Sequence, residues 1–233
     1  MNIYNDENKI TSSDSIYDAY NTFILSSDRN ILYKLLTRHD FFNRVKDLPG
    51  DIVECGVFKG SGIILWAKLL DLYSPHDIRK VIGFDFFDAS FVESIDEDVD
   101  RVMMTQVFDR CPNLIHSDIS EEGIKSKFER CGIPAHKYEL VKGDIVKTSK
   151  EFAQSRPGFR ISLLYLDLDL DMPTYETLKA LWDRVVPGGI VVFDEYAYHM
   201  WSESNAVDRF LQEKSITLHK TNVKSPTAYI LKE

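Results

Sequence analysis

From residue 51 to residue 72 the chain reads DIVECGVFKGSGIILWAKLLDL. Asp51 to Cys55 is a short apolar run with β-branched residues, the signature of a buried strand. Gly56, Gly60 and Gly62 interrupt it, and from Gly60 to Leu72 the apolar residues fall at helical spacing. Four further apolar runs read as strands: Lys80 to Phe84, Tyr138 to Lys142, Ile161 to Leu166 and Ile190 to Phe193. Helical patterns over Glu121 to Cys131 and Thr174 to Val185 lie between them. Strands apolar on both faces that alternate with helices imply a parallel sheet covered on both sides. Near the end, Ser215 to Thr221 and Ala228 to Lys232 flank residues 222–227, which contain Pro226, and predict a closing antiparallel hairpin. Upstream, Ile31, Leu32, Leu35, Leu36, Phe41, Phe42 and Val45 predict a helix over Asn30 to Val45, stopped by Pro49-Gly50. The expected architecture is α/β and doubly wound, with a mostly parallel seven-stranded sheet and an antiparallel C-terminal hairpin. Residues 1–47 would form an N-terminal helical segment or lid, its first 15 residues frayed, and residues 48–233 the main domain.

Composition narrows the partners. With 233 residues, 44% of them hydrophobic, one large domain is expected. The net charge of -9 and pI near 5.2 argue against nucleic acid and against an anionic membrane surface. The N-terminus lacks a basic stretch followed by an apolar core, and no apolar run approaches the roughly 20 residues of a spanning helix, so a cytoplasmic location is expected. Cys55, Cys111 and Cys131 are odd in number and lack metal-ligand spacing, so they read as free thiols.

A five-strand parallel core with an antiparallel tail matches the class I methyltransferase layout better than a plain dinucleotide-binding domain. In an open α/β sheet the ligand sits beyond the carboxyl ends of the strands, where strand order reverses. After the first strand, Glu54 or the amides of the turn from Gly56 and Val57 to Gly60 and Ser61 would meet the methionine part of S-adenosylmethionine; strand-to-helix packing is the alternative. The glycine spacing of four and two is not the GxGxxG of a pyrophosphate binder, which counts against a nicotinamide cofactor. Asp85 closes the second strand, where a ribose diol would donate to it; the alternative is a helix cap. Asp144, after the third strand, would accept the adenine amine, or else shape a Gly-Asp turn.

The richest stretch in chemistry is Tyr165-Leu166-Asp167-Leu168-Asp169-Leu170-Asp171. If the strand persisted, period two would place the three aspartates on one face, and something cationic is expected beside them. The fifth strand ends in Asp194-Glu195-Tyr196, and if it neighbours the fourth, Asp167, Asp169, Asp194 and Glu195 converge. Carboxylates from two strand ends suit a hard divalent cation such as Mg²⁺, which would orient an acceptor hydroxyl while a carboxylate takes its proton. Asp171 reads instead as part of a helix start near Pro173.

These pieces together resemble the macrocin O-methyltransferase family over about Leu48 to Leu211. The resemblance rests on Pro49 to Gly60, Gly83-Phe84-Asp85-Phe86-Phe87, Lys142-Gly143-Asp144, Asp167-Leu168-Asp169 with Pro173-Thr174, Pro187-Gly188-Gly189 and Asp194-Glu195-Tyr196. It implies an S-adenosylmethionine-dependent, Mg²⁺-assisted enzyme acting on a deoxysugar hydroxyl. It further implies that Asp167 is a metal ligand, completed by Asp194 and Glu195, and that Asp169 is the general base. The cofactor residues expected are Glu54, Gly56, Val57, Gly60, Ser61, Asp85, Asp144 and Asp167. Three departures stand out: Glu195 replaces a usual aspartate, Asp171 a usual aromatic, and the loop after Asp85 carries an acidic insert from Glu93 to Asp100. The acceptor is therefore expected to differ from the antibiotic sugars.

Beyond the acidic cluster, the aromatic segment from Tyr196 to Trp201 is placed to stack on a sugar ring, with His199 able to assist proton movement; packing under the C-terminal hairpin is the alternative. Family likeness also suggests a homo-oligomer. Two other functions fit parts of the sequence: a metal-independent or nitrogen-directed methyltransferase, and a nucleoside-binding module without turnover.

Overall fold

The computed structural model describes residues 13–95 and 97–233, so the expectation for the first dozen residues lies outside the described region. Helices α1 (Ser13–Ile24) and α2 (Asn30–Val45) precede β1 (Asp51–Cys55), α3 (Ser61–Tyr73) and β2 (Val81–Asp85). The chain continues through α4 (Asp98–Asp109), α5 (His116–Ile119) and α6 (Glu121–Arg130) to β3 (Tyr138–Lys142), α7 (Ile145–Ser155) and β4 (Ile161–Leu166). It ends with α8 (Asp171–Leu181), β5 (Val185–Phe193), α9 (Glu203–Lys214), β6 (Leu218–Lys220) and β7 (Ala228–Leu231). The sheet order is β3-β2-β1-β4-β5-β7-β6. β1 to β5 pair in parallel, and β7 pairs antiparallel with both β5 and β6.

The two-residue alternation of the central strands splits the core in two. Val53, Cys55, Leu164, Leu166, Val191 and Phe193 face α7, α8 and α9, where Phe152, Leu178, Leu181 and Phe210 cover them. Ile52, Leu163, Tyr165, Ile190 and Val192 face the other way, onto Phe42 of α2, Trp66 of α3 and Phe128 of α6. Every residue of β4 is buried, as a strand covered on both faces requires. Arg79 ties the end of α2 to the sheet by donating to the carbonyls of Val45, Lys46 and Leu48, at and just beyond the helix C-terminus.

Three expectations are corrected. The eighth helix runs from Asp171 to Leu181, three residues earlier at its start than Thr174, and a 3-10 turn over Trp182–Arg184 replaces its predicted end. β5 begins at Val185 rather than Ile190, because Pro187-Gly188-Gly189 is absorbed by a register shift against β4. β4 stops at Leu166, so Asp167, Asp169 and Asp171 do not share the face of a continuing strand. The polar stretch after Asp88 folds into a 3-10 turn followed by α4 and α5, with Asp100 and Met104 buried.

Candidate active site

β1 and β4 are neighbours, and α3 and α6 lie on the opposite face of the sheet from α7 and α8, so strand order reverses at their carboxyl ends. A cleft of about 1480 Å³ opens there. Its wall includes Arg38, Glu54, Val57, Asp85, Asp144, Asp167 and Asp169, with Met104 and Phe108 contributed by α4.

Gly56 holds φ +90°, and a Cβ there would collide with the carbonyl oxygen of Asp167. This close approach lets the turns after β1 and β4 share one wall. The Asp85 carboxylate braces the same turn: one oxygen accepts from the amides of Val57 (2.7 Å) and Phe58 (2.9 Å), the other from Phe87 (2.8 Å). Burial pushes the Asp85 pKa up, against the pull of those amides. Asp144 caps α7 by accepting from Val146 at 3.0 Å, so it shapes the Gly-Asp turn while also lining the cleft.

Glu54 points toward α2, where its carboxylate lies 3.8 Å from the Arg38 guanidinium. That guanidinium stacks over the Tyr165 ring, 4.4 Å from its centroid. Burial pushes Glu54 up to about 7, only partly offset by Arg38. Within this pair, Glu54 Oε2 and Arg38 Nε are buried without a hydrogen-bond partner. Gly62 makes room for it, since a Cβ there would strike both side chains.

At the far end, Asp167, Asp169, Asp194, Glu195 and Glu203 gather. Asp169 sits at φ +64°, a left-handed conformation that aspartate tolerates better than most residues. Its carbonyl accepts from the Glu203 amide at 3.0 Å. Burial, then the charges of Asp167, Glu195 and Asp194, hold the Asp169 pKa well above the usual carboxylate range. Burial and Asp194 raise Asp167 to about 6, and burial with Asp194 and Asp167 raises Glu195 to about 7. Asp194 goes the other way. Although buried, it is held low by the Lys34 ammonium at 2.9 Å and by hydroxyl hydrogen bonds from Ser225 (2.6 Å) and Tyr165. Lys34 also stands 3.8 Å from Asp167.

One cation beside the aspartates is a side chain, Lys34 of α2. Of the expected ligands, both Asp194 oxygens accept hydrogen bonds and Lys34 stands between Asp194 and Asp167, while Glu195 Oε2 is buried without a partner; no group of three or more such side chains suited to a metal forms among the described residues. The sequence reading missed Lys34, Arg38 and Glu203. Lys34 and Arg38 are four residues apart and so share a helix face, the one signal that pointed to them. Glu203, buried with an unpartnered Oε2, looks in sequence like an ordinary first-turn acid.

Asp171 and Arg209 lie on the cleft wall, whereas Tyr196 and His199 stand apart from it. Asp171 forms a two-point ion pair with Arg209, at 2.9 and 2.5 Å, in keeping with its reading as part of the helix start. Tyr196 donates to Asp208 at 2.8 Å and packs against the core, and His199 is exposed; neither lines the cleft.

Residues 38–232 match the family model of the macrocin O-methyltransferases (TylF). The chain belongs to that family. It is similar to the 8-demethyl-8-(2,3-dimethoxy-alpha-L-rhamnosyl)-tetracenomycin-C 4'-O-methyltransferase of Streptomyces olivaceus, at 28% identity over 64% of this chain and 54% of the relative. It is also similar to the demethyldecarbamoylnovobiocin O-methyltransferase of Streptomyces niveus, at 27% identity over the same shares. The chain thus spans about half the length of these curated relatives. The apo structure of a TDP-rhamnose 3'-O-methyltransferase of calicheamicin biosynthesis superposes with a TM-score of 0.68 at 25% identity, covering 97% of this chain and 88% of that one. The macrocin O-methyltransferase match begins at residue 38, so Arg38 lies at its edge and Lys34 just outside it.

Proposed function

We propose that this macrocin O-methyltransferase family member transfers a methyl group from S-adenosylmethionine to a hydroxyl of a sugar, carried on a nucleotide, a glycan or a glycosylated small molecule. The observation that carries the reading is the single cleft joining the Glu54–Arg38 pair to the Asp167–Asp169 turn in a chain of this family. S-adenosylmethionine supplies a methyl carbon made electrophilic by its sulfonium.

The chain's own residues have four tasks. The unpartnered Oε2 of Glu54 and Nε of Arg38 are suited to the ammonium and carboxylate of an amino-acid moiety, which would satisfy both buried atoms. The turn amides from Gly56 to Ser61 would face the same part. An ionised carboxylate offers about four acceptor positions; three amides use Asp85, leaving capacity for a ribose hydroxyl, and Asp144 would meet the adenine edge. Asp169 would take the acceptor proton as general base; burial and the charges of Asp167 and Glu195 hold its pKa above the usual carboxylate range. Holding nucleophile and methyl in line is the remaining work. For the Mg²⁺ assistance implied by the family, Glu195 Oε2 is an unpartnered oxygen, but the place between Asp167 and Asp194 is taken by the Lys34 ammonium.

Relatives acting on rhamnosyl and TDP-rhamnose acceptors by name support a sugar acceptor. The three free cysteines suit a reducing compartment such as the cytoplasm. Exposed Ile16, Tyr17, Tyr20 and Ile24 on α1 are where the expected self-association would form. The test is to incubate the protein with S-adenosylmethionine and a panel of nucleotide sugars and deoxysugar glycosides. Mass spectrometry should find one acceptor gaining a methyl group with stoichiometric S-adenosylhomocysteine. Methylation confined to amine acceptors would contradict the hydroxyl reading.

A further inference from the structure

We propose that the Lys34 ammonium is the resident cation of the acceptor end of the site, occupying the place of a divalent metal between Asp167 and Asp194. The inference rests on the methyltransferase reading above. Lys34 Nζ lies 2.9 Å from Asp194 and 3.8 Å from Asp167, and its side chain is 36% exposed where it lines the cleft. Asp194 accepts three hydrogen bonds, from Tyr165 on one oxygen and from Lys34 and Ser225 on the other. A metal bridging Asp194 and Asp167 would have to displace the Lys34 ammonium that stands between them. Arg38 is turned to Glu54 and stacked on Tyr165, which leaves Lys34 as the ammonium that bridges the two strand ends.

The resulting chemistry needs no further charge carrier. An ammonium has three donors; one is spent on Asp194, Asp167 at 3.8 Å is held by charge, and a remaining N–H can hold the acceptor oxygen beside Asp169. In the transfer, a lone pair of the acceptor oxygen forms the new O–C bond as the C–S bond breaks. The bonding electrons return to sulfur, giving S-adenosylhomocysteine, and the hydroxyl proton passes to the Asp169 carboxylate. Lys34 stays protonated throughout, so the step balances without an added co-reactant.

Mn²⁺, a hard cation for oxygen ligands with a paramagnetic signal, is the probe. It is titrated into the full-length protein holding S-adenosylhomocysteine, with free Mn²⁺ read by electron paramagnetic resonance. The wild-type protein should leave the signal intact up to about 1 mM, at the weak end of protein cation sites. Lys34→Met should bind Mn²⁺ at least about tenfold more tightly, because removing the ammonium opens the Asp167–Asp194 pair. Micromolar binding by the wild type would overturn the proposal, as would an Lys34→Met protein that still holds S-adenosylhomocysteine and yet binds Mn²⁺ no better. If Lys34→Met does not fold, Lys34→Gln carries the same test. Loss of S-adenosylhomocysteine binding by the wild type would instead strike the methyltransferase reading, so the two failures are distinguishable.

Discussion

At the scale of single residues, the site depends on groups held where their neighbours alone would not put them. Asp169 takes a left-handed backbone conformation within a cluster of acids. Asparagine tolerates the same backbone, so Asp169→Asn should keep the fold and the S-adenosylhomocysteine affinity while lowering turnover by about 10² or more. Unchanged turnover in a methyl-transfer assay would remove Asp169 as the base. Gly62 is the second such residue: a Cβ there would meet Glu54 and Arg38. Gly62→Ala should therefore displace the pair and weaken S-adenosylhomocysteine binding about tenfold, the equivalent of roughly 1.4 kcal/mol. Equal affinity by calorimetry would mean that the pair does not touch the ligand. Sequence made Asp167, Asp169 and Asp194 conspicuous as acids at strand ends. It could not reveal their partners, because Lys34 is distant from Asp194 in the chain and Ser225 belongs to a loop with no motif.

At the scale of elements, α2 carries both the packing and the chemistry. Phe42 and Val45 bury one stripe against the sheet, while Arg38 and Lys34 reach the strand ends. Phe42 is fully buried, so Phe42→Ala should cost about 3–5 kcal/mol, read as a fall in the urea midpoint. A loss under about 1 kcal/mol would show that α2 is only loosely docked. The apolar period of α2 and the strand–glycine–helix run at residue 51 were both legible, since burial writes itself into spacing. The early start of β5 was not, because Pro187-Gly188-Gly189 reads as a turn and only the pairing with β4 and β7 keeps it in the sheet. Nor was α4, whose polar, acidic surface hides the face bearing Asp100 and Met104.

Across the whole molecule, the acid cluster should leave a pH signature. Asp167 is raised to about 6, and Glu54 and Glu195 to about 7, so below about pH 3 all three are protonated in folded and unfolded chains alike. Between about pH 4 and 7 the folded state holds more protons than the unfolded one, and stability falls as pH rises through that window. Asp194, held low, contributes only below its ordinary range and in the opposite direction. The melting temperature of the ligand-free protein should accordingly be lower at pH 8 than at pH 5.5; the reverse order would mean that the cluster is neutralised in the fold. The central claim is that the cleft beyond β1, β2 and β4 holds S-adenosylmethionine. Its most direct test is calorimetric titration of the full chain with S-adenosylhomocysteine, for the wild type and for Asp85→Ala. The account predicts one-to-one binding by the wild type and a loss of about 1.5–3 kcal/mol in the variant, the value of a hydrogen bond to a charged group. No binding by a folded wild-type protein would contradict it.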